Sequence, residues 1–135
     1  MDKERLQQDQ PRLRPIDTSL IRTLPLQSDP DLRRRFMVLD EPIPANTRFG
    51  LLLEVLDKVA EETALGYVNR FYPDARVVTA AIDNILIRSN TDVNRDIVFN
   101  ARINHVGRSS LEVGIRVEQP GEPLSHIASC YFTMV

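Results

Sequence analysis

Between Phe49 and Phe71 the apolar residues Leu52, Leu53, Leu56, Ala60, Ala64, Tyr67, Val68 and Phe71 recur at three- and four-residue steps, the period of a helix that buries one face. Tyr72 and Pro73 close the run, since proline cannot donate into a helix ladder. Pro42 and Pro44 mark a loop ahead of it, and Asn46 stands where a helix N-cap belongs. A helix of about 25 residues would be about 40 Å long. In a chain of 135 residues, only a sheet curved around such a helix covers its stripe. Eight buried apolar side chains at roughly 1.5 to 3 kcal/mol each supply a large part of what opposes chain entropy.

After Asp74 the period changes to that of strands. Arg76 to Arg88 is rich in Val, Thr and Ile, with Val78, Ala80, Ile82 and Leu86 on one face and a kink expected near Asp83 and Asn84. Beyond a polar turn, Ile97, Phe99, Ala101 and Ile103 alternate with polar neighbours; Leu111, Val113, Ile115 and Val117 do the same after a tight connection at 106–110. Ala128, Cys130, Phe132 and Met134 share one side of a last strand. Upstream, residues 1–30 carry Pro11, Pro15, Pro25 and Pro30 and read as a partly extended arm, whose Ile16, Leu20, Ile21, Leu24 and Leu26 can dock on the body or on a neighbouring subunit. Arg33, Arg34 and Arg35 precede the apolar Phe36, Met37, Val38 and Leu39, as the solvated entrance of a strand or as a phosphate contact. The expected order is strand, long helix, then about four antiparallel strands. This is an α+β domain over 31–135 with one helix on one face of a sheet of about five strands. The chain stops within an apolar strand, which reads as a truncated end.

Several function classes find no support in composition. A net charge of −2 gives no field that would recruit nucleic acid or an anionic membrane. The single cysteine, Cys130, cannot form an internal disulfide, and no leader pattern opens the chain, so a reducing cytoplasm fits. Apolar runs are far shorter than the roughly 20 residues that span a bilayer. His105 and His126 with one cysteine offer no ligand pairs at metal-binding spacing, so no metal is expected.

Asp57 is the most informative residue. It shares a helix face with Leu53, Leu56, Ala60 and Ala64, and an unpaired carboxylate among apolar groups costs several kcal/mol. It is either a helix-edge Asp bonded to nearby backbone, or a general base or nucleophile facing a ligand. Glu54, Lys58, Glu61 and Glu62 have the spacing of a solvated ion-paired face. The turn of Asn46, Thr47, Arg48, Phe49 and Gly50 presents free N–H groups at a helix start, suited to a carbonyl or oxyanion; Asn46 is equally well a plain cap. Thr79 carries a hydroxyl on the strand face opposite Val78 and Ala80, as a propensity choice or a site residue. Arg108, Ser109 and Ser110 place a guanidinium and two hydroxyls on a turn, a candidate holder for phosphate or amides. Cys130 alternates inward and reads as core, and Ser125, His126 and Asp57 form no serine triad.

Three blocks, Arg48-Phe49-Gly50-Leu51-Leu52-Leu53-Glu54-Val55-Leu56-Asp57, Val78-Thr79-Ala80-Ala81-Ile82-Asp83 and Val106-Gly107-Arg108-Ser109-Ser110-Leu111-Glu112-Val113, resemble in order the motifs of the hotdog-fold acyl-CoA thioesterases. The likeness is to half-domains of the mitochondrial double-hotdog branch and to bacterial single-domain relatives, and it runs from Asn46 to the C-terminus. The resemblance implies a long central helix wrapped by a curved antiparallel sheet and hydrolysis of acyl-CoA to free acid and CoA, a step of fatty acid metabolism, without a cofactor. It implies that Asp57 acts on water or on the thioester carbon, that N–H groups at Gly50 polarise the carbonyl, and that Thr79 lines the site. Arg108, Ser109, Ser110 and Arg48 would lie toward the coenzyme. Where many relatives carry a Gly-Gly pair behind an Asn or His, this chain has only Gly50, which leaves Asn46 as candidate second polar group. The family's sites form where two hotdog units join sheet edges, so a homodimer, or a tetramer or hexamer built from it, is expected. Other readings are an acyl-CoA-binding module that senses or regulates without cleaving, and dehydration of a hydroxyacyl thioester, for which no histidine stands near the helix.

Overall fold

The computed structural model describes residues 15–39, 47–87, 91–121 and 123–135. A short 3-10 turn, Pro15–Thr18, leads into strand β1, Leu20–Leu24, whose edge pairs antiparallel with β3, Ile97–Val106. The sheet therefore begins inside the segment read as an arm, and that boundary at residue 30 is corrected. The strand entrance expected at Arg33–Arg35 is also corrected, because Pro30–Phe36 is a helix, α1. Asp29 caps it by accepting from the Leu32 N–H at 3.1 Å, Pro30 opens it, and the three arginines occupy its last turn, where positive charge meets the negative end of the helix dipole. These local signals outweigh the apolar run that follows, of which Met37 makes one isolated bridge to Thr47.

The long helix, α2, is Phe49–Val68, 20 residues, or about 30 Å. It ends earlier than its apolar period suggests, because Phe71 and Tyr72 turn back to donate to the Val68 carbonyl at 3.0 and 2.9 Å. Phe71 still packs edge-on against Tyr67, with ring centroids 5.4 Å apart. The buried face is Leu52, Leu56, Val59, Ala60, Thr63, Ala64 and Val68. Thr63 is tolerated there because its hydroxyl donates to the Val59 carbonyl at 2.7 Å.

This face lies on β3, β4 (Leu111–Gln119) and β5 (Ser125–Met134) of a five-stranded antiparallel sheet in the order β1-β3-β4-β5-β2. The alternations in β3, β4 and β5 fall as the sequence suggests. Phe99, Ala101, Val113, Ile115, Cys130 and Phe132 face the helix and are buried. The far end is pinned by Gln119, 1% exposed, whose amide accepts from the Asp92 N–H at 2.9 Å and donates to the Asp92 and Arg95 carbonyls at 2.6 and 3.1 Å.

Strand β2, Thr79–Ile87, is an edge with two irregularities. The kink expected near Asp83 and Asn84 is there: the register slips between Asp83 and Leu86, and Asn84 takes φ 51°, a left-handed conformation that asparagine tolerates better than most residues. The second slip, between Thr79 and Ala81, has no asparagine, glycine or proline to mark it in the sequence. It makes Ala80 an extra residue and breaks the expected common face of Val78, Ala80 and Ile82.

Candidate active site

Asp57 lies at the flank of the α2 stripe rather than within it, one turn after Leu53, and is half-buried. Thr79, 22 residues away, donates its hydroxyl to Asp57 Oδ1 at 2.6 Å, at the short end of the O–H···O range. The same oxygen, Thr79 Oγ1, lies 3.4 Å from Met134 Sδ, so the pair rests on the buried end of β5. The single proton of Thr79 is committed to Oδ1, and Asp57 Oδ2 has no hydrogen-bond partner among the described residues. The arrangement holds a carboxylate in one orientation with one oxygen left to take a proton.

Gly50 occupies the first turn of α2 and is exposed, with nothing within 4 Å of the place a Cβ would take; whatever it offers comes from its backbone. It stands two turns from Asp57, about 10 Å along the axis. A carbonyl held at its N–H thus meets the Asp57 carboxylate only across a water or from a second copy. Arg48 is the N-cap of α2 without a side-chain cap bond. Its N–H donates to the Phe36 carbonyl at 2.7 Å and its Nε to the Met37 carbonyl at 3.0 Å, so it fastens the helix start to the end of α1. Asn46 lies outside the described residues.

Arg108, Ser109 and Ser110 form the β3–β4 turn, closed by the Gly107 N–H donating to the Ser110 carbonyl at 2.7 Å. The next residue, Leu111, is opposite Met134, which is opposite Thr79. The turn therefore sits at the Thr79 end of the sheet, about two strand spacings or 10 Å away, a proximity that spacing in the sequence does not contain.

Cys130 is fully buried on the helix side, and that burial pushes its thiol up to about 12, the state of a core residue rather than a nucleophile. Burial also raises the Tyr67 hydroxyl, opposed by the charge of Arg70. Among the described residues no group of His, Cys, Asp and Glu could hold a metal, and no helix is long and apolar enough to cross a membrane. A cavity of about 540 Å³ on the opposite face of the sheet, lined by Asn100, Arg102, Gly114, Arg116 and Tyr131 among others, includes neither Asp57 nor Thr79. The candidate site is a flank between α2 and β2.

Residues 49–125 match the family model of the thioesterase superfamily. Among curated proteins the chain is 37% identical to Protein VdlD of Helicobacter pylori over 89 residues, which is 64% of this chain and 48% of that protein. It is 30% identical over 119 residues to acyl-coenzyme A thioesterase 9, mitochondrial, of Bos taurus, 83% of this chain and 26% of that protein. The chain thus spans about half and about a quarter of the length of these relatives. Its fold is similar to that of an apo-hexameric acyl-CoA thioesterase, with TM-score 0.65, 24% identity, and coverage of 87% of this chain and 68% of that one. The hotdog architecture expected from the sequence is the one observed.

Proposed function

This chain belongs to the thioesterase superfamily, and from that premise we propose that it hydrolyses acyl-CoA thioesters to free acid and CoA at a site shared by two copies. The observation that carries the reading is the 2.6 Å bond from Thr79 to Asp57, which joins two motif blocks in one constellation. Asp57 Oδ2 takes a proton from water, the resulting hydroxide oxygen attacks the thioester carbon, the carbon–sulfur bond breaks, and the proton passes to the departing thiolate. Alternatively the carboxylate attacks the carbon itself, the carbon–sulfur bond breaks and the CoA thiolate leaves, and water then cleaves the mixed anhydride to the free acid and the Asp57 carboxylate, giving up the proton that the thiolate takes. In either course Thr79 holds Oδ1 still, and the N–H of Gly50 meets the carbonyl oxygen. Asn46 is the candidate second polar group. We assign Arg108, Ser109 and Ser110, with Arg48, to the coenzyme side.

The shared site is supported by β2. It is the edge of the sheet, and Val78 beside it is 63% exposed, apolar area at an edge that a second copy would cover. A homodimer is the minimal assembly, and the hexameric relative supports further association into a tetramer or hexamer. We further place the reaction in the cytoplasm, in fatty acid metabolism.

Thiol release from acetyl-, octanoyl- and dodecanoyl-CoA tests the proposal. Asp57→Ala and Asp57→Asn are each expected to lose about 10²- to 10⁴-fold in kcat while the circular dichroism spectrum is unchanged. Full activity in both removes Asp57 from the chemistry. Saturable binding of intact thioester with no thiol released, at any chain length, converts the reading to that of a non-catalytic acyl-CoA-binding module.

A further inference from the structure

We propose that Ile82 governs acyl-chain selectivity, and that the extra residue at Ala80 is what turns it toward the site; the inference rests on the thioesterase reading above. In a regular strand, residues three apart point to opposite faces, so Thr79 and Ile82 should be divided between the two sides of the sheet. The register says otherwise. Val78 exchanges both backbone bonds with Val135 at 2.9 Å, and Thr79 is opposite Met134, but Ala81 is then opposite Thr133 and Ile82 opposite Phe132. Directly opposed residues of an antiparallel pair share a face. Met134 and Phe132 are both buried on the helix side, so Thr79 and Ile82 face that side together. A bulge of this kind re-aims side chains where a strand borders a site.

Burial separates the two partners of the Ile82–Phe132 pair. Phe132 is completely buried, yet Ile82 on the same face is 40% exposed, because α2 rests chiefly on β3, β4 and β5 and leaves the inner face of β2 beyond its flank. That flank is the one carrying Asp57, with half-buried Leu53 one turn before it. Asp83 faces the other side, opposite Tyr131 and with Thr133 Oγ1 3.5 Å from its Oδ2, so it places no charge beside Ile82. An accessible apolar side chain thus lies two β5 residues, about 7 Å, along the sheet from the Thr79–Asp57 pair. A thioester whose carbonyl sits at that pair directs its acyl chain along this surface, and Ile82 is the contact that rewards length.

The test is kcat/KM for wild type, Ile82→Ala and Ile82→Phe across acyl-CoA substrates from acetyl to dodecanoyl, with assembly mass measured for each. Ile82→Ala is expected to lower kcat/KM for octanoyl- and dodecanoyl-CoA about tenfold while leaving acetyl-CoA within about twofold, and Ile82→Phe to move the optimum toward shorter chains. Thr79→Ala, in contrast, should lower all lengths alike. A wild-type profile in both Ile82 variants overturns the inference but not the thioesterase reading. A changed mass with an unchanged profile also overturns it and makes Ile82 a packing residue of the assembly. Absence of hydrolysis in the wild type removes the thioesterase reading and this inference with it.

Discussion

Asp57 and Thr79 show how much a single contact adds to a helical wheel. The wheel marks Asp57 as a carboxylate in apolar company, a description that fits a helix-edge bond as well as a catalytic base. The partner found is neither backbone nor solvent but a strand hydroxyl at 2.6 Å, and such a bond fixes the carboxylate without neutralising it. Cys130 shows the opposite outcome, a reactive residue type made inert by place. Its folded value of about 12 lies above the ordinary thiol value of 9.0 because burial disfavours the thiolate. The folded state therefore holds its proton more tightly than the unfolded chain. This contribution to stability is complete below pH 9, declines as pH rises from about 9 to about 12, and is gone above that. Urea midpoints across this alkaline range are expected to fall less steeply in Cys130→Val than in wild type; equal slopes would show that the thiol is not the group responsible.

At the level of elements, α1 and β2 depart from their apolar patterns for local reasons. In α1 the cap at Asp29, the proline after it and the terminal arginines fix a helix where apolar periodicity suggested a strand. In β2 an extra residue redistributes faces, and one residue is enough to exchange them. The β4 end depends on Gln119, whose amide satisfies three backbone groups of the 91–96 turn. Gln119→Leu keeps the volume but takes the partner from the Asp92 N–H and the Arg95 carbonyl, while the Asp92 carbonyl keeps the Arg95 N–H at 3.2 Å. The expected cost is about 2 to 4 kcal/mol of unfolding free energy, read from chemical denaturation. A cost below about 0.5 kcal/mol would mean that water replaces the amide and that the turn does not need it. By contrast the Arg22–Glu62 pair that ties β1 to α2 at 2.7 Å has both side chains about half exposed (49% and 48%), and pairs of that kind contribute little.

For the whole molecule the decisive feature is an open edge next to the candidate site. One chain supplies Asp57, Thr79 and a helix N-terminus two turns away, but β2 leaves Val78 63% exposed beside the edge. Val78→Lys is expected to bring charge and a long solvated side chain to that edge, shift the sedimentation mass toward the monomer, and lower kcat with it, although no group of the Thr79–Asp57 pair has been altered. A monomeric variant that keeps full activity would show that a single chain suffices.

The period of α2, the alternations of β3 to β5, the inward place of Cys130 and the asparagine kink of β2 were determined by the sequence itself, because each depends on neighbours within a few positions along the chain. The Thr79–Asp57 bond, the approach of the 108–110 turn to the same end of the sheet, and the common face of Thr79 and Ile82 were decided only in the tertiary structure. Each of these requires a register between strands, or a docking of helix on sheet, across tens of residues. Such registers arise from the packing of the whole core, and no local pattern encodes them.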